Sequence, residues 1–170
     1  YTKFPNNTLK ASYGFAHSQT MSEAREAAFS ISAPGLNVMY GDIEGNIAWW
    51  AVAKLIRRPK HVNSKVFLDG ASGNDEPIGI FDVTENPQSE NPPQGFVYSA
   101  NNQPDTIYAK EDSGKGTLYP GYYVPEDRAK RINKHLLSDK KWDTETMKKM
   151  STDVISLSYP SLASYIMAVL

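Results

Sequence analysis

Two adjacent asparagines, Asn101 and Asn102, stand at the carboxyl end of an apolar run, Phe96–Ala100, that reads as a β-strand, and Gln103–Pro104 follow them. A rigid strand end can hold a side-chain amide in fixed geometry. An asparagine N–H aimed at a developing oxyanion stabilises a tetrahedral intermediate, an effect commonly worth a few kcal/mol. The same dipeptide is also a common turn former, and composition alone favours that plainer role. The other chemistry-bearing residues are less ordered in sequence. His17, His61 and His135 are scattered, without metal-ligand spacing or a local acidic partner, and read as surface or capping histidines. Asp69, Asp75, Glu76 and Asp82 have the composition of a calcium loop but not its spacing, which favours a solvated loop. Gly70, Gly73 and Gly79 are too far apart for a phosphate loop, and no Gly-x-Ser-x-Gly elbow occurs. Trp49–Trp50 could line a sugar-binding face, but their apolar strand favours core packing. Arg57–Arg58 with Lys60, and Lys130–Arg131 with Lys134, read as solvated basic surface.

These residues need a scaffold, and 170 residues suffice for one core without disulfides. There is no cysteine, which excludes thiol catalysis and zinc–thiolate sites. Eighteen basic against nineteen acidic side chains give a net charge of −1, which argues against a nucleic-acid partner. No apolar run approaches the ~18 residues of a membrane span. The first residues, Tyr1–Pro5, lack the apolar core of a signal peptide, and the sequence stops on apolar Ile166–Leu170. Both ends therefore predict a segment of a longer polypeptide.

The expected elements are α+β. Residues 1–19 read as irregular or extended. Thr20-Met21-Ser22-Glu23 is a capping box opening a helix through Ala24, Ala27, Ala28 and Ile31, closed by Pro34–Gly35. Leu36–Tyr40 and Ile47–Ala53, joined by the turn residues Asp42–Asn46, predict a β-hairpin whose second strand is covered on both faces. Residues 57–95, rich in Pro, Gly and Asn, form a long connection with Val66–Leu68 and Ile78–Phe81 as apolar anchors. A polar loop, 105–118, leads to Leu118–Tyr123. Helices follow over Glu126–Leu137, from Asp143 through Met150, and over Ser158–Leu170. The resulting division is a helix-plus-strand portion, 1–124, and a helical portion, 125–170.

Four blocks in order resemble the penicillin amidase family of N-terminal-nucleophile hydrolases. They are Pro34–Trp49 with its Asp42-x-x-Gly45-Asn46-Ile47 turn; Arg57-Arg58-Pro59; Gly95–Pro104, with its Asn-Asn-x-Pro strand end; and Tyr119–Tyr122 through Arg128-Ala129-Lys130-Arg131-Ile132. The resemblance implies part of an αββα sandwich, within the catalytic β-subunit. It implies that Asn101 gives its side-chain amide to an oxyanion hole, that Arg128 supports Asn101 or the substrate, and that Arg131 is structural. The family's nucleophile is a serine freed at the β-subunit N-terminus, with its own α-amine as base. That serine would lie well upstream, so the isolated chain is expected to be inactive. The implied substrate is a small-molecule linear amide, such as the N-acyl side chain of a β-lactam or an acyl-homoserine lactone. The implied partners are the remaining α- and β-subunit segments, and the implied location is periplasmic or secreted. The family often binds calcium, with ligands mostly outside this stretch, so no cofactor is expected here. The rival reading is a non-catalytic extracellular module binding glycan or peptide through Trp49, Trp50 and the tyrosines, and tryptophan burial discriminates the two.

Overall fold

A computed structural model describes residues 7–63, 66–104, 123, 126–138 and 141–169. The predicted loop 105–118 and the Tyr119–Tyr122 block lie outside the described residues. The chain forms two compact units, one built mainly from the residues up to Tyr98, the other from Ser99–Gln103 together with the chain from Tyr123 onward.

The first unit opens with two helices, α1 (Thr8–His17) and α2 (Met21–Phe29). The irregular start expected for residues 1–19 is thus corrected from Thr8 onward. Asn7 gives α1 no side-chain cap, and Leu9 and Tyr13 stay exposed, so the usual sequence signals are weak. Close packing holds the helix instead: Ala11 is buried, and a Cβ added at Gly14 would lie 2.7 Å from the Ala27 Cβ on α2. The predicted capping box forms at the start of α2. The Thr20 hydroxyl accepts from the Glu23 N–H (3.2 Å), and the Glu23 carboxylate accepts from the Thr20 N–H (3.2 Å).

Strands β1 (Leu36–Gly41) and β2 (Ile47–Val52) form the predicted antiparallel hairpin, with Val38 opposite Trp50 and Met39 opposite Trp49. A third strand, β5 (Gln88–Glu90), pairs antiparallel on the other side of β2, giving the order β1-β2-β5. A central β2 explains why its sequence is apolar on both faces. Side chains alternate along it, so Ala48, Trp50 and Val52 share one face, where they pack in a core with Ala11, Ala24, Ala28 and Ile31. Burying one tryptophan such as Trp50 contributes on the order of 4 kcal/mol. Its indole N–H donates to Glu90 (2.8 Å), which also accepts from Arg25 (3.1 Å). Trp49, on the opposite face, is equally enclosed and donates to the Asn37 side chain (2.8 Å). Neither ring is available as an exposed stacking platform.

The hairpin turn follows from its residue types. Asp42 accepts from the N–H groups of Glu44 and Asn46, the Asn46 amide and the Tyr40 hydroxyl, all within 3.0 Å. Gly45 takes a positive φ of 89°, open to glycine without a Cβ clash. Asn91, at the end of β5, accepts from Ile47 N–H (2.9 Å) and donates to the Asn46 side chain (3.0 Å).

The long connection is partly ordered by two short strands, β3 (Ile56–Arg57) and β4 (Gly79–Ile80). The Arg57 guanidinium lies 4.2 Å from the Phe81 ring centroid and pairs with Glu85 (2.8 Å), so this arginine is not merely solvated charge. The side chains of Val66, Phe67 and Ile78 are exposed and do not join the core, whereas Phe81 of the second expected anchor lies against Arg57. Residues 96–100, read as a strand, form no ladder among the described residues. Aromatic and β-branched residues favour an extended backbone; a strand also needs a neighbour, and the Ala100 N–H goes instead to the Asn102 side chain (3.3 Å).

The second unit contains the three expected helices: α3 (Asp127–Leu136), α4 (Thr144–Ser151) and α5 (Tyr159–Val169). Asp143 caps α4 by accepting from Thr146 N–H (2.8 Å). No described helix is long and apolar enough to cross a membrane. The antiparallel sheet with flanking helices makes the chain α+β, as its sequence predicts.

Candidate active site

The two asparagines have different surroundings, both within the second unit. Asn102 is buried, and its side-chain amide donates to the Gln103 carbonyl (3.3 Å) while its oxygen accepts from Ala100 N–H. Asn101 is exposed and adopts a positive φ of 58°, a left-handed conformation that asparagine tolerates better than most residues. Its side-chain oxygen accepts a 2.6 Å hydrogen bond from Nη2 of Arg128, in the first turn of α3. Arginine carries donors only, so the atom facing it must be the amide oxygen. The Nδ2 group is thereby directed away from the guanidinium, with two N–H donors to offer. This pair, Asn101 and Arg128, is the pair singled out in the sequence.

Helix α3 reaches this position because one stripe of it is bolted to the segment 153–158. Asp127, Arg131 and His135 recur at every fourth residue and so share a face. Asp127 accepts from the N–H of Leu157 (2.9 Å) and from the N–H and hydroxyl of Ser158 (both 2.8 Å). Oδ2 of Asp153 meets Nε (3.0 Å) and Nη2 (2.6 Å) of Arg131 and Nε2 of His135 (2.6 Å). Its other oxygen accepts from Ile155 N–H (2.9 Å). The Asp153 side chain retains only 11% of its exposure. The Arg131 guanidinium, with the Ile155 N–H and the His135 ring behind it, holds that carboxyl well below the ordinary carboxylate range. Hydroxyls of Ser156 and Ser158 lower Asp127 in the same direction. A groove of about 300 Å³ runs along this stripe, lined among others by Arg128, Ile132, Met150 and Tyr159.

One sequence expectation is extended here and one is corrected. His135 has an acidic partner in Asp153, and His61 has one in Asp75 (3.1 Å), each too distant in sequence to read locally. Arg131 is not part of a solvated basic face, although Lys130 and Lys134 beside it are exposed. The carboxylates Asp127 and Asp153 were not singled out in the sequence. The fourfold spacing of Asp127, Arg131 and His135 was the available signal for the first. Nothing local marks the second. The loop acids Asp69 and Asp75 bind backbone N–H groups of their own turn, and among the described residues no three His, Asp or Glu side chains converge on a metal position.

The penicillin amidase family model matches residues 1–169. The chain belongs to the penicillin amidase family. Among curated relatives, it is 28% identical over 160 residues to the acyl-homoserine lactone acylase QuiP of Pseudomonas aeruginosa, covering 89% of this chain and 17% of that protein. Among solved structures, it resembles a thermostable penicillin G acylase from Alcaligenes faecalis, with a TM-score of 0.67 and 23% identity over 85% of this chain and 24% of that one. The second likeness shows that the chain shares its α+β fold with part of that acylase. The chain thus spans less than a quarter of the length of either relative.

Proposed function

We propose that this penicillin amidase chain is a segment of the catalytic β-subunit of an acylase that hydrolyses a linear N-acyl amide. The nucleophile is a serine at the β-subunit N-terminus, upstream of these residues. Its Oγ attacks the amide carbonyl carbon while the α-amine takes its proton, and the carbonyl π electrons move onto oxygen. The Asn101 Nδ2–H donates to that oxyanion, and Arg128 fixes which end of the Asn101 amide faces it. Collapse expels the amine with the proton, and water then releases the acyl group. The isolated chain has no catalytic activity, because the nucleophile and its amine are elsewhere in the polypeptide.

The observation that carries this reading is the 2.6 Å bond from Arg128 to the Asn101 oxygen, which leaves the amide donors outward on a strained, exposed loop. Family membership and the acylase relative support amide hydrolysis as the reaction class. The names of the two relatives support an acyl-homoserine lactone or a β-lactam side-chain amide as substrate. An exported, periplasmic parent rests on family resemblance. Burial of Trp49 and Trp50 takes both tryptophans out of the stacking surface of the rival binding module and counts against it.

The test is made on the full-length parent, matured and checked by subunit mass, against chromogenic N-acyl amides of graded chain length. Asn101→Gly keeps the positive φ and deletes the donor. We expect kcat to fall by about a hundredfold or more, the scale of one oxyanion-hole donor. An unchanged kcat in a matured variant would return Asn101 to the role of turn residue.

A further inference from the structure

Resting on the reading of Asn101 as oxyanion donor, we propose that Asp153 is a positioning residue for catalysis: it fixes the rotation of α3, and through Arg128 the orientation of the Asn101 amide. Asp153 meets neither Asn101 nor Arg128. It holds Arg131 and His135, one and two turns along the helix from Asp127, at 2.6 Å each. Arg128 precedes Arg131 by three residues and projects from the adjoining stripe of the same helix. Its hold on Asn101 therefore depends on how α3 is turned about its own axis.

The lever arm makes this sensitive. Side-chain atoms stand about 6 Å from a helix axis, so a rotation of ~10° moves them by ~1 Å. The Arg128–Asn101 bond of 2.6 Å would then open beyond hydrogen-bond reach. A misplacement of ~1 Å in a catalytic group can cost on the order of a hundredfold in rate. Asp127 alone cannot prevent such a rotation. It ties α3 to Leu157 and Ser158 at a single point, and a helix held at one point can still swing about it. Asp153 supplies the second bolt, one turn on. It is suited to this: three side-chain donors converge on one of its oxygens, and the Ile155 N–H holds the other.

The experiment uses the full-length matured enzyme, with active sites titrated so that rates are per competent site. Asp153→Asn should lower kcat between about tenfold and a hundredfold with KM little changed, because the loss falls on the transition state and not on substrate binding. In the Asn101→Gly background, the same substitution should cost nothing further. A crystal structure of the Asp153→Asn enzyme should show Arg128 Nη2 out of hydrogen-bond reach of the Asn101 oxygen. A purely structural role would lower the yield of mature enzyme but leave kcat per titrated site intact, and that result overturns the proposal. So do equal losses in both backgrounds, or an intact Arg128–Asn101 bond in the crystal. If Asp153→Asn does not mature, Arg131→Lys, which keeps the charge but loses the two-pronged contact, is measured in its place with the same expectations. Should Asn101→Gly itself leave kcat unchanged, the oxyanion reading has failed; the crystallographic distance still decides whether Asp153 positions Arg128.

Discussion

Replacing Asn101 by aspartate separates the oxyanion reading from every role in which this residue only shapes the loop. Asn and Asp have the same size and both tolerate the left-handed backbone seen at φ 58°. Either can accept from Arg128, so the local structure should survive. What changes is the group turned outward: an N–H donor becomes a carboxylate oxygen. Loss of the donor alone costs about 3–4 kcal/mol of transition-state stabilisation. Bringing a unit negative charge within ~3 Å of the oxyanion adds between about 1 and 5 kcal/mol as the effective dielectric runs from 80 to 20. Arg128, left facing the new carboxylate, offsets part of that. A residual penalty of ~1.4 kcal/mol is already a further factor of about ten. Asn101→Asp should therefore be at least about tenfold slower in kcat than Asn101→Gly, although it is the more conservative change by shape. The assay is initial-rate hydrolysis of a chromogenic acyl amide by matured, active-site-titrated variants. An aspartate variant as active as the glycine variant would refute the reasoning, because it would mean that no negative charge develops beside this side chain.

Three other outcomes follow from the structure. Gly14→Ala forces a Cβ to within 2.7 Å of the Ala27 Cβ, an overpacking cost of ~1–3 kcal/mol set against ~1 kcal/mol of improved helix propensity; urea denaturation should show net destabilisation, relieved by Ala27→Gly. Acrylamide quenching should reach Trp142, which is half-buried, while Trp49 and Trp50 stay protected, so Trp142→Phe should remove most of the quenchable emission. Asp127 and Asp153 have carboxyls depressed in the folded state, so the stability they contribute is complete above the unfolded value near 3.9 and lost as pH falls below it; the acid limb of an unfolding profile should steepen below about pH 4 and flatten in Asp153→Asn.

What could be read in the sequence was what rests on local physics. The Thr20–Glu23 box, the Asp42–Asn46 turn and the Asp143 cap are short-range hydrogen-bonding devices, and each forms as its residues dictate. The two-sided apolar character of Ile47–Val52 correctly placed that strand inside a sheet. Helix α1 escaped because tertiary contact at Gly14 and Ala11, not a cap or an apolar stripe, holds it. The Phe96–Ala100 run has strand chemistry but no described partner strand. The pairing of Asn101 with Arg128 spans 27 residues, and that of Arg131 with Asp153 spans 22. Spacing could not disclose either. Family resemblance pointed to the first, and only the fold brought out the second.

The knot of asparagines around the central sheet has an evolutionary consequence. Asn86 donates to the carbonyls of both Ala51 and Ala53 just before β5, and Asn91 ties the far end of β5 to the hairpin turn. Just before Asn86, the Arg57–Glu85 pair closes the long connection on itself. The excursion is thus closed at its neck, and among the described residues the exposed tip around Phe67 pairs with none of the sheet strands. Such a neck is predicted to make the tip a cassette: lineages can lengthen, shorten or rewrite it, trialling new surfaces, while the strands behind it inherit no penalty.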